Sequence, residues 1–184
     1  MAMGRRDAVT GLGVALGAAL LPETGTGTGT ETVARVVLEP ARPEDARFMA
    51  MAIAEGVKAR AHYAFGTVIV RDGEVLAHGY NLGFERHDPT AHGEMVTIQS
   101  FLGQHGPDAL RGTTLYTTGE PCPMCMGAIL WCGIARLVYA ASIEQLATKM
   151  HQIMVSSTDI ASRAAFAPIS ITGGVMADEA MTHF

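Results

Sequence analysis

The amino-acid sequence predicts an α/β sandwich built on a partly parallel sheet. Short apolar, β-branched runs predict strands, and stretches with a helical period separate the later ones. Asp72-Gly73 is a hairpin turn signal between the first two strands. The resulting order, β-β-α-β-α-β, is typical of α/β folds, because a helix that joins two strands allows them to run parallel.

A predicted helix precedes this pattern of strands and helices. Apolar residues recur with a helical period from Phe48 to Val57, and Pro43 precedes them at a position suited to a first turn. The predicted elements are a helix, two strands and a turn-rich loop, at residues 44–58, 65–70, 75–80 and 81–90.

Helices and strands alternate in the second half. Pro121 and Pro123 open one helix, which closes near Gly133. The predicted helices cover residues 91–102, 122–132 and 176–184. The predicted strands lie within residues 111–118, 135–141 and 169–172, the last at a sheet edge. The pattern over residues 142–168 is ambiguous, and a helix with a loop is the favoured interpretation.

Composition excludes several classes of protein. The chain has 184 residues, of which 48% are hydrophobic and 17% charged, so it is not disordered. Three cysteines are too few for a disulfide scaffold. A net charge of −5 disfavours a nucleic-acid partner, because such proteins usually present a basic surface.

The N-terminal segment differs from the rest of the chain. Arg5-Arg6 precedes a weakly apolar stretch, residues 9–21, and a Gly-Thr repeat follows over residues 25–30. This order resembles a twin-arginine export signal, and the apolar stretch is too short to span a bilayer. We therefore predict an export signal and linker at residues 1–30, a catalytic domain at 31–184, and no membrane span in the mature chain. The alternative is a frayed N-terminal helix on a cytoplasmic protein.

Two short motifs carry the chemistry. His92 begins one predicted helix, and Cys122 and Cys125 lie three residues apart at the first turn of another. A helix N-terminus stabilises a thiolate over a thiol. One imidazole and two thiolates fill three of the four positions of tetrahedral zinc, which leaves one position for water, as in catalytic sites.

Glu94 completes this arrangement. It lies two residues after His92, so on a helix the two side chains do not share a face and Glu94 is placed beside the metal, not on it. There it can act as a general base. The combination H-x-E with P-C-x-x-C is the known signature of zinc deaminases. A structural zinc module and a dithiol redox protein are the alternatives, and neither needs Glu94.

On these motifs the sequence resembles the cytidine deaminase-like superfamily, in the branch of guanine, fungal cytosine and tRNA adenosine deaminases. The resemblance covers roughly residues 45–145. It implies a three-layer α/β/α sandwich with a five-stranded mixed sheet, one Zn2+ per subunit and a homodimer. It also implies three ligands and one proton carrier, which are His92, Cys122, Cys125 and Glu94.

The resemblance further implies how the substrate is held. The expected contacts are Asn81, the backbone of Ala91, and the aromatic rings of Phe65 and Trp131. Glu120 is interpreted as a structural hydrogen-bond acceptor. The sequence E-P-C-P-M-C with Trp131 is similar to guanine deaminases, whereas H-G-E, with Gly93, is similar to fungal cytosine deaminase. The predicted substrate is a small nucleobase-like molecule, guanine first and cytosine second, with tRNA adenosine as the alternative.

Overall fold

A computed structural model of the chain describes residues 36–60 and 63–184. The predicted export segment, residues 1–30, lies outside this described part, so export stays a prediction. Among the described helices, none combines the length and the apolar character that a membrane span requires.

The strands and helices follow the predicted order closely. The strands are β1 (Val36–Leu38), β2 (Gly66–Arg71), β3 (Glu74–Tyr80), β4 (Thr114–Gly119), β5 (Arg136–Ala141) and β6 (Ile169–Thr172). The helices are α1 (Asp45–Gly56), α2 (Gly83–Arg86), α3 (Gly93–His105), α4 (Pro123–Trp131), α5 (Ile143–Ala147), α6 (Ser157–Ser162) and α7 (Ala177–Met181).

The described strands form one mixed sheet in the order β1-β6-β5-β4-β2-β3. Strands β1, β6, β5 and β4 are parallel, and β2 is antiparallel to both β4 and β3. The β2–β3 hairpin turns at Asp72 and Gly73, both with positive φ, as the Asp-Gly signal predicts. The mixed α/β sheet is therefore confirmed.

The expected strand number of five is wrong, because the sheet has six described strands. The additional strand, β1, has only three residues, and they are half-buried or exposed, so no alternating pattern marks it in the sequence. It pairs in parallel with β6. Consequently β6, predicted at the edge, lies inside the sheet.

Helices cover both faces of the sheet. One face packs α1 and α7 against Val68, Tyr116 and Val138, and the other packs α3, α4 and α6 against Ile69, Leu115 and Leu137. Neighbouring strand residues alternate between the two clusters, as the period of two in a strand requires. The two clusters make the three-layer α/β/α sandwich that the resemblance implies.

Four chain segments meet at one edge of the sheet, namely the edge formed by strand ends and not by an outer strand. Because β2 is antiparallel to β4, with Thr67 paired to Thr117, the beginning of β2 lies beside the end of β4. The end of β3 joins them through the pairing of Tyr80 with Gly66. The end of β5 lies there too, because it is parallel to β4. Residues that precede β2 or follow β3, β4 and β5 therefore gather at this edge.

A buried ion pair joins α1 to the sheet. The Arg136 guanidinium donates to both carboxylate oxygens of Asp45 over 2.7 Å each, and the Tyr116 hydroxyl donates to the same carboxylate over 2.9 Å. Asp45 is fully buried. Burial raises the pKa of Asp45, but the hydrogen bonds from Arg136, the Arg42 backbone and Tyr116 outweigh it and hold the pKa below its ordinary value.

We expect Asp45→Asn to lower the free energy of unfolding by about 3 kcal/mol at pH 7, because it removes the buried carboxylate that pairs with Arg136 and leaves only Glu39, 3.5 Å from the Arg136 Nε atom, as an acidic partner among the described residues. The stabilisation depends on the carboxylate. It is complete above the unfolded-state pKa, about 3.9, and is lost as the pH falls through the lower folded-state pKa. Urea unfolding of both proteins from pH 7 downward measures it. A difference that stays constant with pH contradicts the assignment.

Candidate active site

Two helix N-termini bring an imidazole and two thiols together at this edge of the sheet. His92 is the N-cap residue of α3, and Cys122 is the N-cap residue of α4, with Cys125 in the first turn of the same helix. The His92 Nδ1 atom lies 3.7 Å from Cys122 Sγ and 3.6 Å from Cys125 Sγ. The loop after β3 delivers the histidine, and the end of β4 delivers the cysteines.

The spacing of these three atoms fits zinc. Tetrahedral zinc has bonds of about 2.3 Å to sulfur and about 2.0–2.1 Å to nitrogen, which sets the sulfur-to-nitrogen distance near 3.6 Å. All three ligand atoms lie within 4.8 Å of one another. One imidazole and two thiols are also the donor types that zinc prefers. The cluster of His92, Cys122 and Cys125 is therefore a zinc site by both chemistry and geometry.

The hydrogen bonds within the cluster prepare it for a cation. The bond from the Cys125 thiol, and after it the bond from His92, lowers the pKa of Cys122 to about 4 against the opposing effect of burial. The same thiol–thiol bond, together with burial, raises the pKa of Cys125. Because zinc binds thiolates, metal binding would release the remaining thiol protons of the pair.

Glu94 lies beside the cluster. It is in the first turn of α3, its side chain is almost fully buried, and it lines the same pocket as His92 and Cys122. Burial raises the pKa of Glu94. It is not one of the three residues of the zinc cluster in the described chain. A carboxyl group next to the metal with a raised pKa is suited to take up and return a proton.

The cluster opens into a pocket of about 460 Å³. The buried and half-buried residues of its wall include two zinc-cluster residues together with other polar and apolar residues, and they are Phe65, Asn81, Gly83, His92, Glu94, Glu120, Cys122, Met150 and Gln152. Its exposed residues are Tyr63, Phe84, Pro89, His151 and Ile153. No Lys or Arg is among these described lining residues.

Phe65 lies where the resemblance places it, in the pocket wall. Its ring is nearly parallel to the His92 ring, with the centroids 6.4 Å apart, and packs against Phe184 on another side at 4.9 Å. Gly93 permits this arrangement, because a Cβ there would lie 2.7 Å from the Phe65 carbonyl oxygen. The first turn of α3 can therefore approach the start of β2 closely.

Asn81 also lines the pocket, and its side chain is oriented by the backbone. Its Oδ1 atom accepts a hydrogen bond from the Gly83 amide over 2.8 Å, which leaves the side-chain NH2 group available to a ligand. The Ala91 backbone is engaged: its N–H donates to Asp88, and its carbonyl accepts from Leu82. Only the second lone pair of that carbonyl remains for a substrate.

Trp131 does not lie in this pocket. Its ring is 75% exposed and stacks on Phe166 in a separate cavity, with ring centroids 4.5 Å apart. The reason is the direction of α4, which carries residue 131 about 12 Å along the helix from the cysteines at its start. The predicted pocket contact of Trp131 is therefore not made by the described chain.

Glu120 is a structural hydrogen-bond acceptor, as interpreted from the sequence. It also positions part of the pocket wall, which the sequence did not predict. Its buried carboxylate accepts from the Ile143 amide over 3.0 Å and from the Ser157 amide over 2.8 Å. These amides begin α5 and α6, the two helices on either side of residues 148–156. That segment supplies Met150, His151, Gln152 and Ile153 to the pocket, so Glu120 positions one of its walls.

We expect Glu120→Ala to raise KM about tenfold while zinc content and kcat change little. Two buried amides lose their acceptor, at about 1–3 kcal/mol each, and the segment after α5 loosens. Glu120→Gln keeps one acceptor oxygen and should give an intermediate KM. Steady-state kinetics with metal analysis measure both variants. A fall in kcat with an unchanged KM would instead indicate that Glu120 takes part in the chemistry.

The pocket residues contributed by residues 142–168 and by α2 were not expected from the sequence. Their only signal is the apolar content of an otherwise polar segment around Met150, Ile153 and Met154. Periodicity is uninformative there, because α5 and α6 have five and six residues.

Comparison with known proteins agrees with this geometry. A family model of the cytidine and deoxycytidylate deaminase zinc-binding region matches residues 42–141, which contain the complete zinc cluster and Glu94. The chain belongs to this deaminase family. The family assignment explains why the zinc cluster and an acidic residue occur together in one pocket.

Individual relatives of this family differ in substrate. The chain is 45% identical to guanine deaminase of Bacillus subtilis over 87 residues, which are 47% of this chain and 56% of that enzyme. It is also 45% identical to the chloroplastic tRNA(adenine(34)) deaminase of Arabidopsis thaliana over 107 residues, 54% of this chain. The match spans only 8% of that much longer enzyme.

A solved structure supports the same fold. It comes from a study of A-to-I editing by tRNA:A34 deaminases, and it shares 30% identity and a TM-score of 0.65 with this chain. The alignment covers 75% of this chain and 99% of the other. The family and fold are thus shown, while the relatives point to two substrates of different size.

Proposed function

We propose that the chain is a zinc-dependent hydrolytic deaminase of a free nucleobase or a related amino-heterocycle, with guanine first and cytosine second. The observation that carries this proposal is the joint presence of Glu94, the zinc cluster and the Phe65 ring in one pocket without a Lys or Arg side chain among its described lining residues. The guanine deaminase relative from Bacillus subtilis supports guanine.

The residues of the pocket have distinct tasks in this reaction. When bound, zinc supplies a Lewis acid that makes water a nucleophile near neutral pH. Glu94 would accept one proton from the attacking water and pass it to the ring nitrogen as the carbon–oxygen bond forms. It would then take the second proton from the new hydroxyl group and pass it to the amino nitrogen, which leaves as ammonia when its bond to the ring carbon breaks. His92, Cys122 and Cys125 would hold the metal.

Orientation of the ring comes from two other side chains. The Asn81 NH2 group is free to donate to an acceptor on the ring, because Gly83 already fixes its oxygen. The Phe65 ring lines the same pocket and is nearly parallel to the His92 ring, with the centroids 6.4 Å apart, so it can pack against a planar base beside the zinc cluster.

The charge of the chain favours a free base over tRNA. Residues 31–184 carry the whole net charge of −5, since the charges of residues 1–30 cancel. A tRNA substrate needs several cationic contacts with phosphates, whereas a neutral base needs none. The alternative, tRNA adenosine deamination, rests on the Arabidopsis relative and on the structure from the tRNA editing study.

We expect turnover of a free base to change little between about 50 and 200 mM salt, because no ion pair holds a neutral ring. Binding through six or more phosphates would weaken by about 10³-fold or more over this range. The assay is ammonia release from guanine and cytosine, run beside inosine formation in a tRNA anticodon stem-loop. Efficient, salt-sensitive editing of the stem-loop with no turnover of either base would overturn the proposed substrate.

A further inference from the structure

The exposed part of the pocket wall is mostly apolar or aromatic and contains no Lys, Arg, Asp or Glu among its described residues. Four of its five exposed residues, Tyr63, Phe84, Pro89 and Ile153, have apolar or aromatic side chains. We name these four the rim. Phe84 and Ile153 are each 62% exposed, so the rim borders solvent, while Glu94 at the zinc cluster is buried. The rim and the zinc cluster line one continuous cavity.

This cavity is larger than a bare base requires. Its volume of about 460 Å³ lies within the range of pockets that hold drug-sized ligands, about 300–1,000 Å³. A base whose amino carbon faces the zinc cluster occupies the buried end, against Phe65 and Asn81. The opposite side of its ring then points toward the rim, where the remaining volume lies.

We propose that the rim is a subsite for an apolar, uncharged substituent on the side of the ring away from the amino group. This inference rests on the proposed deaminase function and narrows its substrate class. Burial of alkyl or aryl surface against Phe84 and Ile153 is favourable, whereas a charged group there would lose hydration without gaining a partner.

The charges near the rim fit this assignment. Arg60 lies 4.0 Å from Glu85 and so has an acidic partner. Arg86 on α2 and Lys149 after α5 are exposed, but neither is among the residues that line the pocket. The described lining residues include no Lys or Arg that could pair with a phosphate, which disfavours nucleotides as substrates.

Two matched series of compounds test the subsite on the zinc-loaded full chain. One is cytosine alkylated at N1 and guanine alkylated at N7 or N9, from methyl to butyl. The other carries the same chains with a terminal carboxylate. We expect kcat/KM for ammonia release to rise about tenfold from the unsubstituted base to the butyl compound, since a buried methylene contributes up to about fourfold. The carboxylates should lose this gain.

Substitutions of rim residues test whether the rim causes the preference for alkylated compounds. Phe84→Ala should reduce the ratio of kcat/KM between butyl and unsubstituted compounds toward one, and Ile153→Lys should shift preference toward the carboxylates. Phe166→Ala is the matched control, because Phe166 is 58% exposed and lines the other cavity. It should leave both ratios as in the wild type.

The possible outcomes distinguish failure of the rim subsite from failure of the proposed deaminase function. Turnover of bare bases with no gain from alkyl chains, or with a preference for carboxylates in the wild type, overturns the rim subsite alone. The rim subsite is also overturned if Phe84→Ala and Ile153→Lys leave the ratios unchanged. Absence of ammonia release from every compound, substituted or not, overturns the proposed deaminase function itself.

Discussion

Glu94→Gln should retain one zinc per chain and lose at least 10²–10⁴-fold in turnover, which is the typical contribution of general acid–base catalysis. The amide has nearly the same size as the carboxylic acid, so the buried first turn of α3 can keep its structure. The amide cannot accept a proton and pass it on. Metal analysis together with a rate assay measures the two effects separately.

A matched variant distinguishes the chemical role from mere loss of charge. Glu144 is an exposed acid on α5 that lies outside the pocket, so Glu144→Gln should have wild-type turnover. Near-normal turnover of Glu94→Gln would remove this residue from the mechanism. Loss of zinc from Glu94→Gln would show instead that the residue holds the metal site together.

Cys122→Ala and Cys125→Ala should each lose both zinc and activity. Either change leaves two protein donors at a site that needs three, and Cys125 is also fully buried beside the sheet. Zinc stoichiometry after dialysis against a weak chelator is the measurement. We expect near-complete loss of bound metal, with turnover reduced to background.

The third cysteine provides the control for this pair. Cys132 follows α4 and is half-buried, apart from the His92, Cys122 and Cys125 cluster. Cys132→Ala should keep stoichiometric zinc and activity. If Cys122→Ala and Cys125→Ala keep full zinc, the metal lies elsewhere. A titratable disulfide between these cysteines and no metal in the wild type would favour a redox protein.

Local sequence patterns are sufficient to predict which residues begin the helices at the site. His92, Cys122 and Cys125 each lie in the first turn or cap of a predicted helix, and short-range rules describe such positions well. The Asp-Gly hairpin is predictable for the same reason. The convergence of the two helix starts then follows from the sheet order, because β2, β3 and β4 all present the relevant ends at one edge.

Features that depend on contacts between residues far apart in the sequence cannot be predicted from local patterns. The short helices α5 and α6 are stabilised by Glu120, which is 23 and 37 residues away from the amides that it accepts. The edge strand β1 depends on pairing with β6, near the other end of the chain. Trp131 illustrates a further limit, because a motif gives its position along α4 and not the cavity that its ring enters.

The central claim, that this zinc cluster serves hydrolysis of an amino-heterocycle, is tested most directly by ammonia release from zinc-loaded full-length chain. Guanine, cytosine and their alkylated analogues are incubated with protein that contains one zinc per chain. We predict one ammonia and one oxo-heterocycle for each substrate consumed, and none with Glu94→Gln. A wild-type chain with one zinc and no ammonia from any of these compounds would contradict the claim and indicate a non-catalytic zinc module.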